Sequence, residues 1–175
     1  MVLKTTNPNI IIQGNSVLLR LKTNDDLLDD YRWRRDAELA KYDAVPTLSI
    51  SFNEFVERYH IEFLNQSERR IFSIVSIVDD KHIGNIMFYS FDRRKKSVEL
   101  GITIGEKDYW NKGYGTESVE LFVQYLFENI GIKSIYLHTL KWNERAINAF
   151  LKSGFKEIKN IRRLGYSFIK MEINK

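Results

Sequence analysis

Hydrophobic positions along this chain follow two periods, and the switches between them divide it into elements. Residues 10–12 form a short apolar run, and Val17–Leu21 reads as a strand after it. Thr23 and Asn24 offer an N-cap for a first helix. Asp25 and Asp26 fall in its opening turn, where the helix dipole favours negative charge. Leu27, Leu28 and Tyr31 form its apolar face, and Pro46 breaks the segment that follows. Ser51 and Glu54 have the S-x-x-E spacing of a capping box, and Phe52, Phe55, Val56, Tyr59 and Phe63 then recur at helical intervals.

The middle of the chain changes to a period of two. Residues 71–78 are rich in β-branched side chains and end in Asp79, Asp80 and Lys81, a turn signal. Residues 82–91 read as the antiparallel partner, Arg93, Arg94, Lys95 and Lys96 as a solvated turn, and Ser97–Ile104 as a third strand. From Gly113 the period becomes 3.6, with Val119, Phe122, Val123, Leu126 and Phe127 on one helical face. Residues 133–139 read as a buried strand. Asn143 caps a helix carrying Ala146, Ile147, Phe150 and Leu151, which Gly154 ends in the left-handed conformation with Phe155 packed behind it. Residues 156–161 and 167–173 form a last strand pair around Gly165. The order β-α-α-β-β-β-α-β-α-β-β predicts an α+β fold, one domain over residues 1–175 with a mixed sheet flanked by helices.

Composition narrows the chemistry. The chain has 175 residues, 43% of them hydrophobic, enough to bury a core. It has no cysteine, which excludes disulfides, zinc–thiolate sites and a cysteine nucleophile. The net charge of +4 is spread along the chain, so no nucleic-acid partner is expected. No apolar run reaches the ~20 residues of a membrane span, and a cytoplasmic protein is the default expectation.

The chemically informative stretch is residues 98–116, VELGITIGEKDYWNKGYGT. A strand runs into a loop holding Lys112, Gly113, Tyr114 and Gly115, and a helix starts at once. Glycines let backbone N–H groups converge, and a helix N-terminus adds unpaired donors and a positive dipole end, which together suit a pyrophosphate. The alternative is a tight turn with no ligand. Two further segments accompany it. One is Glu99-Leu100-Gly101-Ile102 on the strand. The other is Asn143-x-x-Ala146-Ile147-x-x-Phe150-x-Lys152-x-Gly154-Phe155 downstream.

In that order and spacing the three segments resemble the acyl-CoA-binding core of the GNAT N-acetyltransferases, in particular their RimJ/RimL-like and spermidine-acetyltransferase-like branch. The resemblance covers about residues 68–155 well and the N-terminal helices loosely. It implies a twisted, mostly antiparallel sheet, acetyl-CoA as acetyl donor and no metal. Ile102, Thr103, Ile104, Asn111, Lys112, Gly113, Tyr114, Gly115, Thr116, Asn143, Ala146, Phe150 and Lys152 are implied as cofactor-binding residues. A small-molecule amine or a protein N-terminus is implied as acceptor, and a homodimer is compatible with it. Trp110 stands where the general pattern has Gln or Arg. Phe150 stands where a tyrosine often protonates the departing thiolate, and a phenyl ring has no proton to give.

An attacking amine must first be neutral, and an alkylammonium near pKa ~10 needs a group to take its proton. Glu99 is the first candidate base, set against a purely structural role. His138 is a second base or a water-positioning group, set against a satisfied core histidine. A strand amide at Ile102 or Thr103 would meet the developing oxyanion. Asp25, Asp26, Asp29 and Asp30 are read as a solvated helix face, set against attraction of a cationic substrate. Tyr31, Trp33, Tyr42 and Trp142 are divided between cleft and core. Residues 82–91 contain no acid, and Asp43 and Glu54 are the nearest upstream, which weighs against a polyamine acceptor. A non-catalytic acyl-CoA-binding or sensor module is the alternative to an enzyme.

Overall fold

The computed structural model describes residues 10–64 and 70–175. Glu68, where the resemblance begins, lies outside them, as does the side chain of Phe63. The sheet has eight strands among these residues: β1 (Ile10–Gln13), β2 (Val17–Leu21), β3 (Arg70–Ser76), β4 (Lys81–Asp92), β5 (Ser97–Ile104), β6 (Ser134–Leu140), β7 (Lys156–Arg163) and β8 (Tyr166–Asn174). Their order is β1-β2-β3-β4-β5-β6-β8-β7, antiparallel everywhere except between β5 and β6. Helices α1 (Leu27–Arg35), α2 (Ala37–Tyr42), α3 (Phe52–Leu64), α4 (Tyr114–Tyr125) and α5 (Glu144–Lys152) flank it. The expected α+β architecture with a mixed, mostly antiparallel sheet is the one observed.

Strand alternation sorts the layers. Phe72 on β3 meets Phe122 of α4 edge-on at 5.2 Å, while its neighbour Ser73 bonds Asp26 on the other side. Helix α4 therefore covers one face of the sheet and α1 the other. Val119, Phe122 and Val123 of α4 are buried, as is Leu126 in the single π-turn (Leu126–Ile130) that continues the helix. At ~1.5–3 kcal/mol per buried large side chain, this stripe is the main anchor of α4.

The N-terminal helices differ from expectation. Leu28 is exposed, and the buried stripe of α1 is Leu27, Asp30 and Trp33. Trp33 occupies the space beside Gly105, where an added Cβ would lie 2.0 Å from its ring. A short helix absent from the expected order, α2, starts at Asp36, whose side chain accepts from the amides of Glu38 and Leu39. The Ser51 cap of α3 forms as expected, its hydroxyl accepting from the Glu54 amide at 3.3 Å.

Asp26 and Asp30 are buried, not solvated. Asp26 takes both terminal nitrogens of Arg20 at 2.7 and 2.6 Å and the Ser73 hydroxyl at 2.7 Å. Asp30 pairs with Lys22 at 2.7 Å and accepts from the Asn85 amide at 2.6 Å. Desolvation alone raises the Asp26 pKa, but the Arg20, Thr23 and Ser73 hydrogen bonds outweigh it and hold this carboxyl well below the usual range. Burial lowers the Lys22 pKa despite its Asp30 partner.

Candidate active site

Strands β5 and β6 pair only through Ser97, Val98 and Glu99 with Ser134, Ile135 and Tyr136. Beyond this seam they diverge, while β5 stays paired with β4 as far as Ile104. One edge of β5 therefore has no strand neighbour among the described residues from Leu100 onward. Two contacts fix where its backbone groups point. A Cβ on Gly84 of β4 would lie 2.2 Å from the Thr103 carbonyl, which therefore faces β4. The Ile104 carbonyl faces away, accepting from the Trp110 indole N–H at 2.8 Å. Within a strand the N–H and C=O of one residue share a direction, so the amides of Ile102 and Ile104 face the opening. Of the two amides expected at an oxyanion, only that of Ile102 is turned to the opening. Thr103 presents its side chain instead.

The opening forms a cleft of about 810 Å³. Ile102, Thr103 and Ile104 line it from β5, and Asn111, Gly113, Gly115 and Thr116 from the loop and the first turn of α4. Asn143, Ala146, Phe150 and Lys152 line it from α5. Asn143 caps α5 through the Ala146 amide at 3.2 Å. The side chains of Lys112 and Tyr114 are not in its wall. Lys112 is exposed, and the Tyr114 ring packs edge-on against Tyr109 at 5.1 Å.

Gly113 precedes α4 at φ +91, a conformation that L side chains rarely adopt. A Cβ on Gly115 would meet only Ile104 Cγ1, at 3.6 Å. The glycine therefore avoids no clash within the protein; it keeps the helix start open to the cleft. That suits an anionic group approaching the first amides of α4 closely. Sequence reasoning missed Arg145. Its guanidinium lies 3.5 Å over the Trp110 ring and 4.7 Å from that of Tyr42, tying the α2 end, the loop and α5 together across the cleft. No local spacing announces a contact among three such distant segments.

Glu99 and His138 come together at the seam. His138 Nδ1 lies 2.7 Å from Glu99 Oε1, and the two side chains keep 27% and 15% of their surface exposed. A bulge in β4 at Ser90, with φ +54, interrupts regular pairing next to Tyr89, which faces Glu99 across the strands. On the α1 side of the sheet a second cleft of about 360 Å³ reaches the same pair. His138, Tyr89 and Asp43 line both clefts, so the two approaches meet at His138. Asp43 caps the C-terminus of α2 and lies 3.5 Å from the Thr103 hydroxyl. Its carboxyl is open to the solvent of the cleft but crowded by protein. This desolvation raises its pKa, against the nearby Arg34 charge and the Thr103 bond.

The other weighed groups are elsewhere. Glu54 pairs with Arg58 on α3, and Tyr31 packs on Phe52 and Phe55. Trp142 is exposed beside Tyr42, the one of the four weighed aromatics that lines a cleft. Among the described residues no group of three or more His, Cys, Asp or Glu is placed to hold a metal ion. No helix among them is long and apolar enough to cross a membrane.

An open helix start on one face, a gap along β5 and a second cleft on the other face thus converge on one point of the sheet. The model of the acetyltransferase (GNAT) domain matches residues 16–156, and the chain belongs to that family. It is 28% identical to spermidine N(1)-acetyltransferase of Escherichia coli K12 over 142 residues, 81% of this chain and 74% of the relative. It is 26% identical to the uncharacterized protein MJ1062 of Methanocaldococcus jannaschii over 151 residues, 86% of this chain but only 30% of that protein's length. The fold superposes on a crystal structure of Vibrio cholerae spermidine N-acetyltransferase in complex with CoA and spermine with a TM-score of 0.81. That match is 20% identical and covers 92% of this chain and 96% of the other.

Proposed function

We propose that this protein transfers an acetyl group from acetyl-CoA directly to a primary amine, in the manner of the RimJ/RimL-like and spermidine-acetyltransferase-like enzymes. The observation that carries the reading is the Glu99–His138 pair, placed where the cofactor cleft and the second cleft meet. Glu99 accepts the Nδ1–H of His138, which fixes the tautomer and leaves Nε2 as an acceptor. His138 is then the base that takes the ammonium proton as the nitrogen becomes a nucleophile, and Glu99 orients it and balances the imidazolium charge. This exchanges the order of the two candidates: the carboxylate expected to be the base supports the histidine.

Acetyl-CoA, when bound, supplies an activated thioester. The amides at Gly113, Gly115 and Thr116 and the open edge of β5 fit such a group. They offer backbone donors to its phosphates and to its extended arm. The Ile102 amide faces the opening, where it stabilises negative charge developing on the acyl oxygen. Phe150 is buried against Phe155 and lines the cleft, a wall rather than an acid. A thiol near pKa ~8.5 leaves as a thiolate without one. The acceptor is a small-molecule amine or a protein N-terminus.

Thiol release from acetyl-CoA, measured across a panel of primary amines and peptide N-termini, tests the reading. Turnover is expected with at least one acceptor, and His138→Gln lowers its kcat by ~10²–10⁴ with CoA affinity unchanged. Tight CoA binding without turnover across the panel would overturn it in favour of a sensor.

A further inference from the structure

The walls of the second cleft are divided about evenly between apolar and polar surface, and its charged groups are unevenly placed. Val45, Ile161, Leu164 and Phe168 supply hydrophobic surface. Its two carboxylates are Glu99 and Asp43, and Glu99 is engaged by His138. Asp43 has no ion-pair partner among the described residues; its one hydrogen bond there is the 3.5 Å contact with Thr103. Arg34 acts on this carboxylate only from beyond ion-pair distance, so an open position remains on Asp43 for a cation to complete. At the rim stands Arg163, the last residue of β7 and without an ion pair among the described residues, a charge that repels a second ammonium. A cleft of about 360 Å³ is at the small end of ligand pockets.

We infer that Asp43 binds the acceptor's ammonium group beside His138, and that the acceptor is a compact primary monoamine on an apolar body. This rests on the acetyl-transfer reading and narrows it away from polycations. One ammonium proton passes to His138 Nε2 and the nitrogen lone pair then attacks the thioester carbon. A remaining N–H stays on Asp43, so the carboxylate holds the nitrogen in place while the histidine carries the proton. The C–N bond forms, the C–S bond breaks and the sulfur leaves with its electron pair; the nitrogen's second proton, lost as it becomes an amide, passes through water to the thiolate.

The test compares 2-phenylethylamine with spermidine in the wild type, Asp43→Asn and Arg163→Glu. Steady-state kinetics are combined with calorimetry of amine binding to the CoA-loaded protein. 2-Phenylethylamine should exceed spermidine at least tenfold in kcat/KM. Asp43→Asn should raise its KM at least tenfold, with a smaller change in kcat and unchanged CoA affinity. Arg163→Glu should shift the preference toward spermidine, and Asp43→Glu should recover part of the binding. Equal or better turnover of spermidine by the wild type, or normal amine KM in Asp43→Asn, would overturn the inference while leaving acetyl transfer standing. Amine binding that depends on Asp43 without turnover of any amine would do the opposite: the ammonium site stands and the transfer reading falls.

Discussion

The molecule contains two groups of acidic and basic side chains on the α1 side of its sheet, and they differ in how fully they are paired. Around Asp26 and Asp30 nearly every polar atom has a partner: Arg20, Lys22, Ser73 and Asn85 close the network, and it is buried. Glu99 is held by His138 and the Tyr136 hydroxyl, but around this pair the network does not close. His138 uses one ring nitrogen, and Asp43 has a single long hydrogen bond. The same residue types make a saturated structural joint in one place and leave hydrogen-bonding capacity over in the other. Saturation lowers the Asp26 pKa, whereas desolvation without enough partners raises that of Asp43.

The comparison breaks most readily at its reactive end. Glu99→Gln removes the charge that balances the His138 imidazolium, so kcat should fall toward the lower end of the ~10²–10⁴ range, with little change in melting temperature. A near-normal rate would mean that the pair is as structural as the Asp26 network. The converse experiment is Asp26→Ala. It strands Arg20 and should cost about 3–5 kcal/mol in urea unfolding while leaving kcat of the folded protein near normal. The pH dependence has a definite sign. The native Asp26 pKa lies below the unfolded value of ~3.9, so its contribution is complete above about pH 5 and drains away as pH falls toward the native value. Stability curves from pH 7 to pH 3 should therefore be shallower for the variant.

Smaller effects sharpen the cofactor side. Gly115→Val introduces a side chain where the protein offers only ordinary contact, so the fold should persist. CoA affinity should drop at least tenfold, about 1.4 kcal/mol, by calorimetry. Unchanged affinity would remove the loop from the cofactor site. Phe150→Tyr should change kcat by less than tenfold. A large gain would show that protonation of the departing sulfur limits the reaction.

Much of the fold was legible because strands and helices announce themselves by period, and the Ser51, Asn143 and Gly154 signals mark real boundaries. The errors have physical causes. Leu28 and Asp30 are at helical positions where hydrophobicity alone orients α1 wrongly. The buried Asp30 has Lys22 and Asn85 as partners from β2 and β4, which no local reading supplies. Asp36 begins a six-residue helix, too short to produce a periodic signal. In the site, Glu99 and His138 were both visible as candidates. Their union was not, since it depends on parallel pairing between strands joined through α4. Asp43 stood out only as an acid upstream of an acid-free strand, and its place between two clefts arises from tertiary packing.

The alternation along β5 makes neighbouring amides report on different things. Thr103 N–H is directed into the sheet, so its hydrogen-exchange protection measures the opening of β4 from β5 and thus local stability. Ile102 and Ile104 N–H are directed into the gap, where protection must come from whatever occupies it. Slow exchange should therefore appear at 102 and 104 when CoA is added, while 103 changes little. The strand would then carry, residue by residue, an occupancy gauge interleaved with its own reference.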